Sequence, residues 1–121
     1  MQSFLKLTLP PDLTATAVDL SGLNALQIKL LIEQNAEQIA YMLQSYYSRE
    51  KVSRVQLIAD TISFNGKVDI SVRLEYVMEE YNACSAVDTL KVDKMTVKIS
   101  QDQHGDYLLY GEYWPERDGQ F

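Results

Sequence analysis

Val68-Asp69-Ile70-Ser71-Val72-Arg73-Leu74-Glu75-Tyr76-Val77-Met78-Glu79 is the most regular stretch of this chain. Val68, Ile70, Val72, Leu74, Tyr76 and Met78 take every second position, and Asp69, Ser71, Arg73, Glu75 and Glu79 fill the gaps. Side chains of an extended chain point alternately to opposite faces, so the pattern predicts a long strand with one buried and one wet face. Asn65-Gly66, just before it, tolerates the positive φ of a tight hairpin. The strand expected upstream, Val52 to Phe64, is less regular. Val55 and Leu57 favour one face and Ile58, Ile62 and Phe64 the other, which predicts a bulge near Ile58-Ala59.

An apolar sheet face needs a cover, and residues 23–48 supply one. At about 100° per residue, Ile28, Leu31, Ile32, Ala36, Ile39, Met42, Leu43 and Tyr46 gather on one side of a helix. Lys29, Glu33, Gln34, Glu37, Gln38 and Gln44 lie largely on the other. Ser21 or Asn24 can cap its start by accepting from a first-turn N–H. At ~1.5 Å per residue such a helix is about 37 Å long, comparable to the strands it would cover.

Outward from these elements, Leu5, Leu7 and Leu9 alternate as a short strand that Pro10-Pro11 stops. Residues 12–22 form a connector and residues 81–87 another. Leu90 and Val92, then Met95, Val97 and Ile99, predict a strand whose phase slips near Lys94. Gln101 to Asp106 reads as a turn containing Gly105, and the last strand runs from Tyr107 to Trp114 before Pro115. The chain is thus expected to be one α+β domain over residues 1–121, with an ordered core at 4–114 and a tail at 115–121. One long helix packs on a four- to five-stranded antiparallel sheet in the order β-α-β-β-β-β. That succession resembles the cystatin-like arrangement, a helix gripped by an antiparallel meander. The inhibitory Gln-x-Val-x-Gly hairpin of that family is absent, since the hairpin here reads Ser63-Phe64-Asn65-Gly66-Lys67. Protease inhibition is therefore not implied, and a shared arrangement assigns no activity.

A chain of 121 residues can bury about two-thirds of its unfolded surface, enough for a single core. Hydrophobic residues make up 46% and charged residues 23%, a globular composition. Seventeen acidic residues against eleven basic ones give a net charge of −6, which disfavours a phosphate-backbone partner. The lone cysteine, Cys84, excludes an internal disulfide, and there is no Asn-x-Ser/Thr acceptor. No secretory pattern opens the sequence and no run approaches the ~18 apolar residues of a membrane span. These features together suit a cytoplasmic protein with no membrane segment.

Motifs for chemistry are scarce. One histidine and one cysteine cannot form a His/Cys zinc site, and no calcium-type Asp-x-Asp loop occurs. Cys84 and His104 are the only pair for nucleophilic catalysis, and ordinary loop roles explain both. The five glycines never cluster into a phosphate cradle, so no cofactor is expected. Gly111, inside the last strand, leaves room for a bulge, a ligand or the helix.

Asn35 interrupts the apolar helical stripe, so its amide either satisfies strand backbone or marks a polar pocket. Arg49, Lys51 and Arg54 follow Tyr46-Tyr47, a basic–aromatic mixture that suits single-stranded nucleic acid or, more simply, a helix C-terminus. Lys91, Lys94 and Lys98 would extend such a surface. Leu23, Leu26 and Leu30 point away from the main stripe and need another cover. The last strand is apolar on both faces: Tyr107, Leu109 and Tyr113 on one, Leu108, Tyr110 and Trp114 on the other. A sheet covered by one helix needs one apolar face, and Tyr and Trp are enriched at binding hot spots. The sequence therefore points to a non-enzymatic interaction module in a regulatory, inhibitory or immunity-type role. It would form a homodimer or bind a protein partner through Tyr107, Leu108, Tyr110 and Trp114. The alternative is a small-molecule site or small enzyme with a helix–sheet pocket lined by Asn35, Asp60 and tyrosines.

Overall fold

The structure, a computed structural model, describes residues 2–9, 23–47, 50–65, 69–82 and 87–114. Along the chain run β1 (Phe4–Lys6), α1 (Ala25–Gln34), α2 (Ala36–Gln44), β2 (Lys51–Leu57), β3 (Ser63–Asn65), β4 (Asp69–Asn82), β5 (Val87–Gln101) and β6 (Tyr107–Tyr110). The fold is α+β. Its antiparallel sheet has six strands in the order β1-β6-β5-β4-β2, with β3 also paired to β4. Ile28, Leu31, Ile32, Ile39 and Leu43 of the helices pack onto Ile70, Val72, Leu74 and Tyr76 of β4 and Met95, Val97 and Ile99 of β5. Burying each such aliphatic side chain contributes about 2 kcal/mol, which is what holds helix to sheet.

The single long helix is corrected to two. Asn24 starts α1 with a capping box, its side chain accepting from the Gln27 N–H at 2.8 Å while Gln27 accepts from the Asn24 N–H at 2.9 Å. Ten residues on, a continuing helix would bond the Asn35 N–H to the Leu31 carbonyl. The Asn35 side-chain Nδ2 donates to that carbonyl instead, at 2.8 Å, and its backbone N–H shifts to Ile32. A side chain competing with its own main chain breaks the helix for one residue. The order β-α-β-β-β-β, and with it the cystatin-like succession, is not reproduced: two helices are followed by five strands, and the sheet has six.

The upstream strand is also corrected. Its extra residue sits at Arg54, where the pairing with β4 shifts between Ser53 and Gln56 and φ is 53°. That single insertion lets Val52 and Val55, three apart, both turn inward. The chain then leaves the sheet over Ile58–Ile62, with Asp60 at φ 63°, and returns as β3. Thr61 patches the gap, its hydroxyl oxygen accepting from the Arg73 N–H at 3.1 Å. The expected phase slip near Lys94 does not occur. β4 and β5 pair without interruption from Asp69–Ser100 to Asn82–Val87, and Leu90 and Val92 simply lie on the wet face.

β1 covers Phe4–Lys6, shorter than the expected Leu5–Leu9, and β6 ends at Tyr110, short of Trp114. Gly111 explains the second limit. A Cβ there would fall against the Tyr46 hydroxyl, so of the three uses open to this glycine, close approach of the helical segment is the one realised. The connector 12–22, Ser21, Gly66, Val68, Arg49, Cys84 and the tail from Pro115 lie outside the described residues.

Candidate functional site

β6 separates the two apolar faces expected of it. Tyr107 and Leu109 turn inward and are core; Tyr107 is only 3% exposed and offers no binding surface. Leu108 and Tyr110 lie half-buried on the outer face, between β1 and β5. The Tyr110 ring sits 5.7 Å from that of Phe4, and the Lys98 ammonium lies 5.9 Å above it. Both contacts are within the range in which ring–ring and cation–π attraction operate. Phe4 itself is 64% exposed. Trp114 turns away to pack edge-on against Tyr46 at 4.8 Å and Tyr47 at 5.6 Å. The four residues singled out for binding are therefore split: Leu108 and Tyr110 share a surface, Tyr107 is core, and Trp114 belongs to a second aromatic cluster.

Phe4 also borders a groove of about 400 Å³ between β1 and α2, lined by Ser3, Leu5, Gln38, Tyr41, Met42 and Ser45. Tyr41, on the helical wall, is 84% exposed. Leu7 donates to Tyr107 and Gly111 to Ser3, so the odd-numbered residues of this segment bond toward β6. By ladder alternation Phe4 and Lys6 turn their N–H and C=O groups the other way, along the groove. The next outward-facing residue, Thr8, is already bonded by Asn35. Length and hydropathy of β1 give no hint of this groove, because its second wall comes from a helix about 35 residues away in sequence.

The second cluster could perform chemistry only if its phenols were easily ionised. The Tyr47 and Tyr76 hydroxyls are 2.5 Å apart, and Tyr47 reaches Asp93 Oδ2 at 3.4 Å. Burial raises the pKa of both, most strongly that of fully buried Tyr76. Tyr46, which accepts from the Ser3 N–H at 2.9 Å and donates to the Glu112 carbonyl at 2.7 Å, is raised by burial as well. A general base needs a pKa near the working pH, and these shifts run in the opposite direction.

Asn35 is 1% exposed and its carboxamide is spent on Thr8 and Leu31. Asp60 lies in the exposed turn between β2 and β3, at the opposite edge of the sheet from β1, and no hydrogen bond joins the two. Among the described residues no buried side-chain polar atom lacks a hydrogen-bond partner, and no three His, Cys, Asp or Glu side chains cluster to hold a metal ion. His104 is exposed in a turn organised by Asp102, which accepts from the His104 and Asp106 N–H groups at 2.8 and 2.9 Å. The basic residues do not form one patch. Lys94 and Lys98 share the outer face of β5, whereas Lys91 lies on the inner face. Leu23 is buried, while Leu26 and Leu30 are exposed on α1. No helix among the described residues is long and apolar enough to cross a membrane.

No protein-family model, curated protein or solved structure matches this chain.

Proposed function

We propose that this chain is a non-enzymatic interaction module that takes an extended segment of a protein partner along β1. The carrying observation is the pair of exposed aromatic rings, Phe4 and Tyr41, across an apolar groove beside the open edge of that strand. A strand edge supplies main-chain hydrogen bonds to any extended peptide, and a neighbouring groove supplies side-chain selectivity. Tyr110 and Leu108 extend the same surface on the outer face, which keeps the C-terminal strand in the interface. The raised phenol pKa values of Tyr46, Tyr47 and Tyr76 favour binding over catalysis. A regulatory or inhibitory accessory role in the cytoplasm suits a binder of this kind.

Selection of a displayed library of extended peptides against the whole chain tests the proposal. Enriched peptides should shift the amide resonances of Phe4, Leu5 and Lys6. The double variant Phe4→Ser/Tyr41→Ser should bind them at least about tenfold more weakly, with an unchanged melting temperature because both rings are exposed. No enriched class of peptides, or equal binding by the double variant, would overturn it.

A further inference from the structure

β5 is fifteen residues long, but on the side away from β4 it is paired by β6 only over Lys98–Gln101. The next outward N–H, that of Thr96, is bonded by the Glu112 carboxylate at 2.8 Å. Beyond it no strand among the described residues pairs with this edge. The ladder alternates, so Leu90, Val92 and Lys94 aim their N–H and C=O groups outward, as Thr96 and Lys98 do. The Lys94 N–H is held by the Asp93 carboxylate at 2.8 Å. On the wet face of this bare edge Leu90 and Val92 are each 61% exposed, and Val92 stands opposite Val77 of β4. An unpaired edge with apolar side chains is a template for another strand.

The sequence of the edge says which strand fits. Leu90-Lys91-Val92-Asp93-Lys94 is complementary to itself when run antiparallel. With a two-fold axis at Val92, Lys91 of each copy meets Asp93 of the other, Val92 meets Val92, and Leu90 lies along the Lys94 stem. Axes at Lys91, Asp93 or Lys94 set like charges face to face, which is destabilising. An axis between residues would oppose an outward-facing residue to an inward-facing one, which an antiparallel ladder does not allow.

We infer that the chain self-associates by pairing β5 with β5 of a second copy, antiparallel about Val92, making one continuous sheet of two subunits. Asp93 then exchanges its own Lys94 N–H for the Lys91 ammonium across the axis, and that N–H bonds to the carbonyl opposite. Val77, Val92 and Leu90 of both copies line up as one apolar row on the outer face. A ladder of about five residues per copy falls well short of the ~1,200 Å² of a standard stable interface, so the dimer is weak and concentration-dependent. This contact goes beyond the peptide-binding reading and uses a different part of the sheet.

Sedimentation equilibrium of the whole chain from about 10 μM to about 1 mM tests it. The wild type should approach twice the single-chain mass as concentration rises. Val92→Pro removes an N–H that points away from β4, so the fold keeps its ladder while the dimer is lost. Lys91→Glu and Asp93→Lys, each alone, should associate about tenfold more weakly, because both cross-axis pairs become repulsive. An equimolar mixture of those two variants restores opposite charges at both pairs and should regain the dimer. A wild type that keeps the single-chain mass at every concentration, a Val92→Pro variant that associates like wild type, or a mixture no larger than its components would overturn the inference. Failure of the peptide selection with these results intact removes the first proposal and leaves this one standing.

Discussion

The Asn35 carboxamide accepts from the Thr8 N–H at 2.7 Å and donates to the Thr8 carbonyl at 2.8 Å, so a helix side chain occupies the place of a neighbouring strand. The same amide takes the Leu31 carbonyl from the helix at 2.8 Å. One buried side chain thereby ends the open edge of β1 at Thr8 and divides the helix, which leaves only Phe4 and Lys6 free for a partner.

Asn35→Ala should destabilise the fold by about 2–4 kcal/mol, since it leaves Thr8 and Leu31 backbone groups buried without partners. Asn35→Asp can still accept from Thr8 but cannot donate while ionised, and a buried carboxylate facing two carbonyls favours its protonated form. Its folded-state pKa then lies above the unfolded one, so the variant loses stability as pH rises. Urea unfolding of both variants at pH 4 and pH 7 measures this. Equal losses at the two pH values for Asn35→Asp would contradict the assignment.

Alkaline stability should depend on the Tyr47–Tyr76 pair. Burial raises both phenols, so the unfolded chain ionises first, near pH 10, and deprotonation favours unfolding. The stabilisation is complete below about pH 10 and is lost as pH rises beyond it. Tyr76→Phe should cost about 1 kcal/mol at pH 8 and make the decline between pH 10 and pH 11 shallower. Denaturation midpoints at these three pH values give the comparison; an identical slope in the variant would refute it.

Gly111→Ala should destabilise by about 1–3 kcal/mol, because the new methyl group meets the Tyr46 ring end. The Tyr46 hydroxyl cannot retreat without giving up Ser3 and Glu112. In a double-mutant cycle with Tyr46→Ala the two losses should be markedly less than additive. Additive losses would mean the close approach carries no energy.

Arg54 is exposed and sits at φ 53°, where a side chain is strained and glycine is not. Arg54→Gly should raise stability by about 0.5 kcal/mol and Arg54→Val should lower it. Thermal melting of the pair distinguishes them, and the reverse order would argue against a left-handed residue at the bulge.

Local periodicity alone carried a large part of the fold. The inward set Ile70 to Met78, the helical stripe from Ile28 to Leu43 and the turn around Gly105 follow from alternation, helical projection and turn chemistry, which depend on residues a few positions apart. Asn35 was visible as a polar interruption of the stripe, but not as a break in the helix, because Thr8 lies 27 positions away in the chain. Tyr107 and Tyr110 are the same kind of residue in one short strand; only packing against the helices on one side and Phe4 on the other makes one core and the other surface. Leu90 and Val92 resembled a phase slip because an apolar pair was assumed to face the core. Pairing with β4 over the whole hairpin put them in water instead, since hydrogen-bond register between strands outweighs the burial of two aliphatic side chains.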